Sequence, residues 1–209
     1  MCGINGILRL APDAPAVDRD VLVRTRDAMA SRGPDGVGAW LSDDGTVGLG
    51  HRRLAIIDLS DAGAQPMTYL DGRYRLVFNG EIYNYKELRA PLEQDGVAFV
   101  STSDTEVVLA LFHREGEAAF RRLRGMFALA IWDAHERRLT LARDPYGIKP
   151  LYVATQGGWL QFASQVKALE AGGKVSREVD VAAVAGFLMW GSVPEPRTLR
   201  ASVRALPAG

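Results

Sequence analysis

Apolar and polar positions divide the chain into short segments. Residues 2–9 (Cys-Gly-Ile-Asn-Gly-Ile-Leu-Arg) read as a strand. Over 17–30 the spacing changes: Val17, Val21, Leu22, Ala28 and Met29 fall near one face of a helix that Asp18 or Asp20 can cap. Ser31-Arg32-Gly33-Pro34-Asp35-Gly36 is a loop by its glycine and proline content. Strands are predicted at roughly 37–42, 46–50, 53–58 and 74–78, with Asp43-Asp44-Gly45 and Asp71-Gly72 as turns. Asn79-Gly80 is expected to end the last of these, and Tyr85, Leu88 and Leu92 then follow at helical spacing. Ser103-Asp104-Thr105-Glu106 has the form of a capping box ahead of the apolar run Val107–Phe112. Further strands are predicted near 125–133, 138–143, 150–154 and 158–163, the first two joined through Asp133-Ala134-His135-Glu136. Helical spacing returns at 165–171 and 180–190. The second of these is headed by Asp180 and is apolar on nearly every side, which suits a helix covered by more than one partner.

Nine short strands, mostly joined by tight turns and interleaved with helices, imply mainly antiparallel sheets under helical layers, an α+β domain. Nothing in the composition divides 1–190, so these residues form one predicted domain. The stretch 191–209, with Pro194, Pro196 and Pro207, is expected to be a connector towards a further domain. Phe187, Met189 and Trp190 would then help dock that domain, an idea that fails if they are well buried within 1–209.

The 209 residues are 47% hydrophobic and 24% charged, which excludes a largely disordered chain. Lys+Arg and Asp+Glu are 25 each, so the charge balance argues for neither nucleic acid nor an anionic membrane surface. The run Phe127–Trp132 is far short of the ~20 apolar residues of a membrane span. Residues 1–12 lack the basic start of a signal peptide. With one cysteine there is no disulfide framework, and a cytoplasmic location is expected.

That cysteine is Cys2. Removal of Met1 would leave a thiol and a free α-amine on one residue, and an N-terminal amine can serve as base to a nucleophile beside it. Its ordinary pKa of ~7.7–8, against ~10.4 for lysine, leaves a useful neutral fraction near pH 7. Taken alone, a lone cysteine is more often a small buried hydrophobe. Other residues add chemistry. The Asn79 side-chain amide and the Gly80 backbone N–H can form an oxyanion hole, although Asn-Gly is commonly only a turn. Arg53 offers a planar fork for a carboxylate, although most arginines form surface ion pairs. Asp104 can hold an ammonium group or merely stabilise a helix start, and Glu81 can be a first-turn helix residue. The histidines, His51, His113 and His135, are isolated and lack metal-ligand spacing, so no metal is expected.

These residues lie in a series: Met1-Cys2-Gly3-Ile4, Arg32-Gly33-Pro34-Asp35, His51-Arg52-Arg53-Leu54-Ala55-Ile56-Ile57-Asp58, Asn79-Gly80-Glu81-Ile82-Tyr83-Asn84, Ser103-Asp104-Thr105-Glu106 and Arg143-Asp144-Pro145-Tyr146-Gly147-Ile148-Lys149-Pro150-Leu151-Tyr152. In that order it resembles the glutaminase domain of class II glutamine amidotransferases, most closely that of bacterial-type glutamine-hydrolysing asparagine synthetases. The resemblance covers essentially the whole chain.

It implies an N-terminal nucleophile hydrolase fold, a four-layer αββα sandwich of two mainly antiparallel sheets. It implies Cys2 as nucleophile with its own amine as base, and Asn79 and Gly80 as oxyanion hole. Arg53 would clamp the α-carboxylate of glutamine, Asp104 and Glu81 its α-ammonium, while backbone groups near Ile56 and Ile57 line the pocket. Glutamine would be hydrolysed to glutamate and ammonia, the ammonia serving ATP-dependent asparagine synthesis from aspartate. The glutaminase half needs no cofactor. ATP and Mg²⁺ are expected only in a C-terminal synthetase domain, whose Ser-Gly-Gly-x-Asp-Ser loop is absent here, acting in cis or in trans. The resemblance also leaves room for a homodimer. The alternatives are a relative that amidates another carboxylate, a hydrolase of the same fold cleaving a different amide, and a catalytically silent regulatory module.

Overall fold

A computed structural model describes all residues, 1–209. The chain runs β1 (Gly3–Arg9), α1 (Arg19–Asp27), β2 (Gly36–Leu41), β3 (Val47–Arg53), β4 (Met67–Tyr69) and β5 (Tyr74–Ile82). It continues through α2 (Tyr85–Gln94), α3 (Asp104–Glu115), β6 (Gly125–Asp133), β7 (Arg138–Arg143), β8 (Tyr152–Gln156) and β9 (Trp159–Ala163), then α4 (Val166–Gly172), α5 (Val181–Trp190) and β10 (Val203–Ala205). The strands form a six-stranded sheet, β10-β8-β9-β1-β3-β2, and a four-stranded sheet, β4-β5-β6-β7. Every pairing is antiparallel.

Side-chain alternation explains the layering. Successive residues of a strand point to opposite faces. On one face of β5 and β6, Leu76, Phe78, Ile82, Phe127, Leu129 and Ile131 pack with Leu88 and Leu92 of α2 and Val107, Val108 and Leu111 of α3. On the other face Val77, Ala128, Ala130 and Trp132 meet Ile4, Val47, Leu49 and Phe162 of the six-stranded sheet. A strand buried on both faces needs an unbroken apolar run, which Phe127–Trp132 supplies. Across the six-stranded sheet lie α1 and α4. Val21 and Leu22 of α1 pack with Ile7, and Ala168 and Leu169 of α4 with Ala163 and Met29. The result is an αββα sandwich. No helix is long and apolar enough to cross a membrane.

Four expectations need correction. The strand expected at 53–58 does not form: β3 runs through to Arg53, and 54–66 is an irregular segment with one 3₁₀ turn at Asp61–Gly63. Asn79-Gly80 does not end β5. Both residues are inside it, opposite Ala128 and Phe127 of β6, and a Cβ at residue 80 would lie 2.3 Å from the Met126 carbonyl oxygen. Glycine is there for close backbone approach rather than for a turn. The capping box is open: Ser103 Oγ accepts from the Thr105 N–H (3.1 Å), but Glu106 turns away to the N–H groups of Val100 and Ser101.

The fourth concerns 191–209. The stretch is not a bare connector, because β10 adds an edge strand to β8 and Leu206 packs into the core between the sheets. Arg143, its side chain 5% exposed, grips Glu195 through both carboxylate oxygens (2.9 Å each) and the Leu206 carbonyl (2.7 Å). A three-residue strand among prolines has too little periodicity to be read from sequence. Asp180 caps α5 through the Ala182 and Ala183 N–H groups. Beyond that cap α5 is bare: Phe187, Leu188, Met189 and Trp190 are 51%, 78%, 71% and 72% exposed.

Candidate active site

Strand register sets one wall of the site. Gly3 of β1 is opposite Arg52 of β3, so Cys2 and the residues leaving β3 lie together. The Leu54 N–H donates to Cys2 Sγ (3.4 Å), and the thiol lies 3.7 Å from the Leu54 carbonyl oxygen. Burial pushes the Cys2 thiol up from its ordinary pKa. The Leu54 N–H, the chain's amino terminus, Arg53 and Arg32 act against that shift without cancelling it. Arg32 is a functional candidate that sequence reasoning left without a role. Its Nε donates to the Cys2 carbonyl (2.9 Å), and its Nη2 is buried without a partner. The only sequence signal for it was its place in Arg32-Gly33-Pro34-Asp35. Asp35 of the same motif accepts the Ala55 N–H (2.9 Å).

The four-stranded sheet supplies the opposite wall. Beyond Leu76, β4 no longer covers the edge of β5, so the outward N–H groups need other partners. Phe78 N–H donates to Gln65 Oε1 (2.6 Å) and Ile82 N–H to Asp104 Oδ2 (2.9 Å). Backbone direction alternates with period two, so the Gly80 N–H faces the same open edge between them. The Asn79 side chain is 1% exposed, and its Nδ2 has no hydrogen-bond partner. A buried donor without an acceptor costs ~1–3 kcal/mol, and this one borders a cavity that a ligand's acceptor can enter. Gln65 was also missed by sequence reasoning, since its hydrogen bonds are visible only in three dimensions.

Charged ends flank this pair of walls. Arg53 Nη1 donates to the Ser60 carbonyl (2.9 Å) and Nη2 to the Asp58 carbonyl. Backbone oxygens therefore orient the guanidinium without neutralising it. At the other end, Asp104 is buried, and its pKa is raised, first by desolvation and further by the neighbouring Glu81 charge, against lowering by the Ile82 and Thr105 N–H groups. Two carboxylates in a desolvated corner form an unmatched site for a cation. Cys2, Arg53, Ile56, Ile57, Asn79, Gly80, Glu81 and Asp104 all line one cavity, together with Gln65, Met126 and Lys149.

The histidines stay outside the chemistry. His51 Nε2 meets the Phe78 carbonyl (3.3 Å), and burial pushes its pKa down to about 4. His113 lies against Tyr74, and His135 sits on the exposed β6–β7 turn. A larger hollow opens beside β7, lined by Phe120, Leu139, Leu141 and Leu206 and well away from Cys2.

Comparison with known proteins identifies the family. A family described as "Glutamine amidotransferase domain" matches residues 1–209. The glutamine-hydrolysing asparagine synthetase 1 of Bacillus subtilis (strain 168) is 43% identical, over 100% of this chain and 33% of that protein. A putative glutamine-hydrolysing asparagine synthetase of Mycobacterium tuberculosis (strain H37Rv) is 40% identical, over 100% of this chain and 34% of that protein. The chain thus spans about a third of the length of these curated relatives. Among solved structures, glutamine phosphoribosylpyrophosphate amidotransferase from B. subtilis, complexed with ADP and GMP, superposes with a TM-score of 0.71 at 24% identity, covering 86% of this chain and 45% of that one. The two share the fold of two stacked antiparallel sheets between helical layers described above. By family match, by relatives and by fold, the chain belongs to the class II glutamine amidotransferase domain family.

Proposed function

We propose that this domain hydrolyses glutamine through a thioester on Cys2. The supporting observation is the orphan Asn79 Nδ2, which shares a cavity with a thiol, a free guanidinium and a pair of carboxylates. Glutamine is a zwitterion with a neutral amide at its far end, and the cavity has complementary groups for each part. Arg53 takes the α-carboxylate, while Glu81 and Asp104 take the α-ammonium. A site that pairs both ends, with Asp104 buried and Arg53 and Glu81 half-buried, disfavours ligands that lack either charge.

Met1 is 55% exposed and accessible for removal, after which residue 2 carries the free amine. That amine accepts the thiol proton as Sγ attacks the side-chain amide carbon, and the carbonyl oxygen, now an anion, accepts from Asn79 Nδ2 and the Gly80 N–H. As the tetrahedral intermediate collapses, the ammonium returns the proton to departing ammonia, leaving a γ-glutamyl thioester. Water then adds to the thioester carbon, giving its proton to the amine, and the C–S bond breaks to release glutamate and the thiol. Two preformed donors at the oxyanion contribute several kcal/mol to each addition step.

On this reading the ammonia is used for ATP-dependent asparagine synthesis from aspartate in a synthetase domain. No residue of 1–209 is assigned to ATP or Mg²⁺. The bare apolar end of α5, with Phe187, Met189 and Trp190, is the docking surface for that domain, since water-exposed side chains of this size mark an interface. The test is glutamate release from glutamine by the wild type and Cys2→Ala. The variant should keep its far-ultraviolet dichroism and Tm and lose activity by about 10⁴-fold or more. Activity retained without the thiol rejects the mechanism.

A further inference from the structure

Asp58 lines the same cavity and has no part in the chemistry above, yet it joins the two charged ends. Its carboxylate is buried and collects four donors. Oδ1 accepts from the Ser60 N–H (2.8 Å) and hydroxyl (2.6 Å), and Oδ2 from the Thr102 N–H (2.9 Å) and hydroxyl (3.1 Å). The first pair belongs to the loop that leaves Arg53. The second belongs to the segment entering α3, two residues before Asp104. The main-chain carbonyls of Asp58 and Ser60 are the two oxygens that orient the Arg53 guanidinium. One side chain therefore holds the carbonyls that aim the cation and ties them to the turn that carries the anion.

An ordinary Asx turn would need only the Ser60 bonds. The Thr102 bonds reach across 44 residues of sequence to the far side of the cavity. The Ser60 hydroxyl and the other donors hold the Asp58 carboxylate at about 2, so it remains an anion wherever the enzyme is assayed. Arg53 bonds to backbone oxygens rather than to this anion, which leaves its charge available to a ligand.

Resting on the glutaminase reading, we propose that Asp58 is a positioning residue that sets the spacing between the Arg53 fork and the Asp104–Glu81 corner, and so selects ligands with an α-amino acid head group. Its role is geometric, since none of its hydrogen bonds involves Cys2 or Asn79.

The test uses two alkylating agents on Cys2 of the full chain: the diazo ketone analogue of glutamine, which carries the head group, and iodoacetamide, which does not. Asp58→Asn keeps the volume but removes the charge and sets an NH₂ group against N–H donors. Its alkylation by the analogue at low concentration should slow roughly ten- to a hundredfold, the worth of charged hydrogen bonds lost. Iodoacetamide should react as with wild type, and KM for glutamine should rise by a similar factor while kcat changes little. Thr102→Val, which removes one donor only, should move the same readouts in the same direction by a smaller factor. If Asp58→Asn does not fold, Thr102→Val decides the outcome. Equal slowing of both reagents, or of neither, overturns the proposal. A wild type that reacts with iodoacetamide but not with the analogue overturns the glutaminase reading itself.

Discussion

The two walls of the cavity come from different sheets and are built differently. The six-stranded sheet contributes Cys2 and Arg53 at strand ends, where both groups have hydrogen-bond partners: Leu54 for the thiol, two backbone carbonyls for the guanidinium. The four-stranded sheet contributes Asn79 and Gly80 from the middle of β5, and there the Asn79 donor is left empty. Groups that recognise a resting ligand can be preorganised by bonds they keep. On the proposed mechanism Asn79 serves a charge that exists only during reaction, and its place inside the paired strands β5 and β6 limits how far it can turn away.

The contrast predicts opposite kinetic signatures. On the four-stranded side, Asn79→Ala should lower kcat by about 10²–10³-fold with KM nearly unchanged, the usual loss for an oxyanion donor. Because the deleted amide has no partner, Tm should fall less than for removal of a bonded buried group of equal size. Steady-state glutamate release and calorimetry check both statements. A large rise in KM would place Asn79 in ground-state binding and erase the contrast.

The seam between the walls makes a stability prediction. His51 of β3 contacts Phe78 of β5 and is held at about 4 against its ordinary 6.5. Between those values the unfolded chain binds the proton and the folded one does not, so stability is lost as pH falls through that window. At ~1.4 kcal/mol per tenfold difference in proton affinity, the loss is roughly 3 kcal/mol. The raised Asp104 contributes with the opposite sign, so comparison with His51→Gln is needed to isolate the histidine. Urea unfolding at several pH values should show a flatter acid limb in the variant.

The smallest effect is expected on the six-stranded side. Arg53→Lys keeps the charge but loses the planar fork, so KM should rise about tenfold while kcat stays close to wild type. A fall in kcat with KM unchanged would show that Arg53 acts on the transition state instead.

Much of the site was legible because each group sits in a short motif with its own chemistry. Cys2, Arg53, Asn79-Gly80 and Asp104 are separated by long stretches of chain, and the antiparallel register of β1 with β3 and of β5 with β6 brings them to one cavity. What could not be read depended on partners distant in sequence. Asn79-Gly80 looks like a turn until β6 passes close enough to demand glycine. Residues 54–58 look like a strand, because Leu54, Ile56 and Ile57 are apolar, yet the Asp58 bonds to Ser60 and Thr102 hold the chain in a loop. The tail appeared to be a linker because its anchor, Arg143, lies 52 residues from Glu195.

Rapid acid quench of the protein mixed with glutamine, followed by mass analysis of the amino-terminal peptide, addresses the mechanism most directly. The account predicts a peptide that begins at Cys2 and carries a glutamyl group on its sulfur during turnover, removed by hydroxylamine and absent from Cys2→Ala. Glutamate formed while the peptide still begins at Met1 and remains unmodified would contradict it.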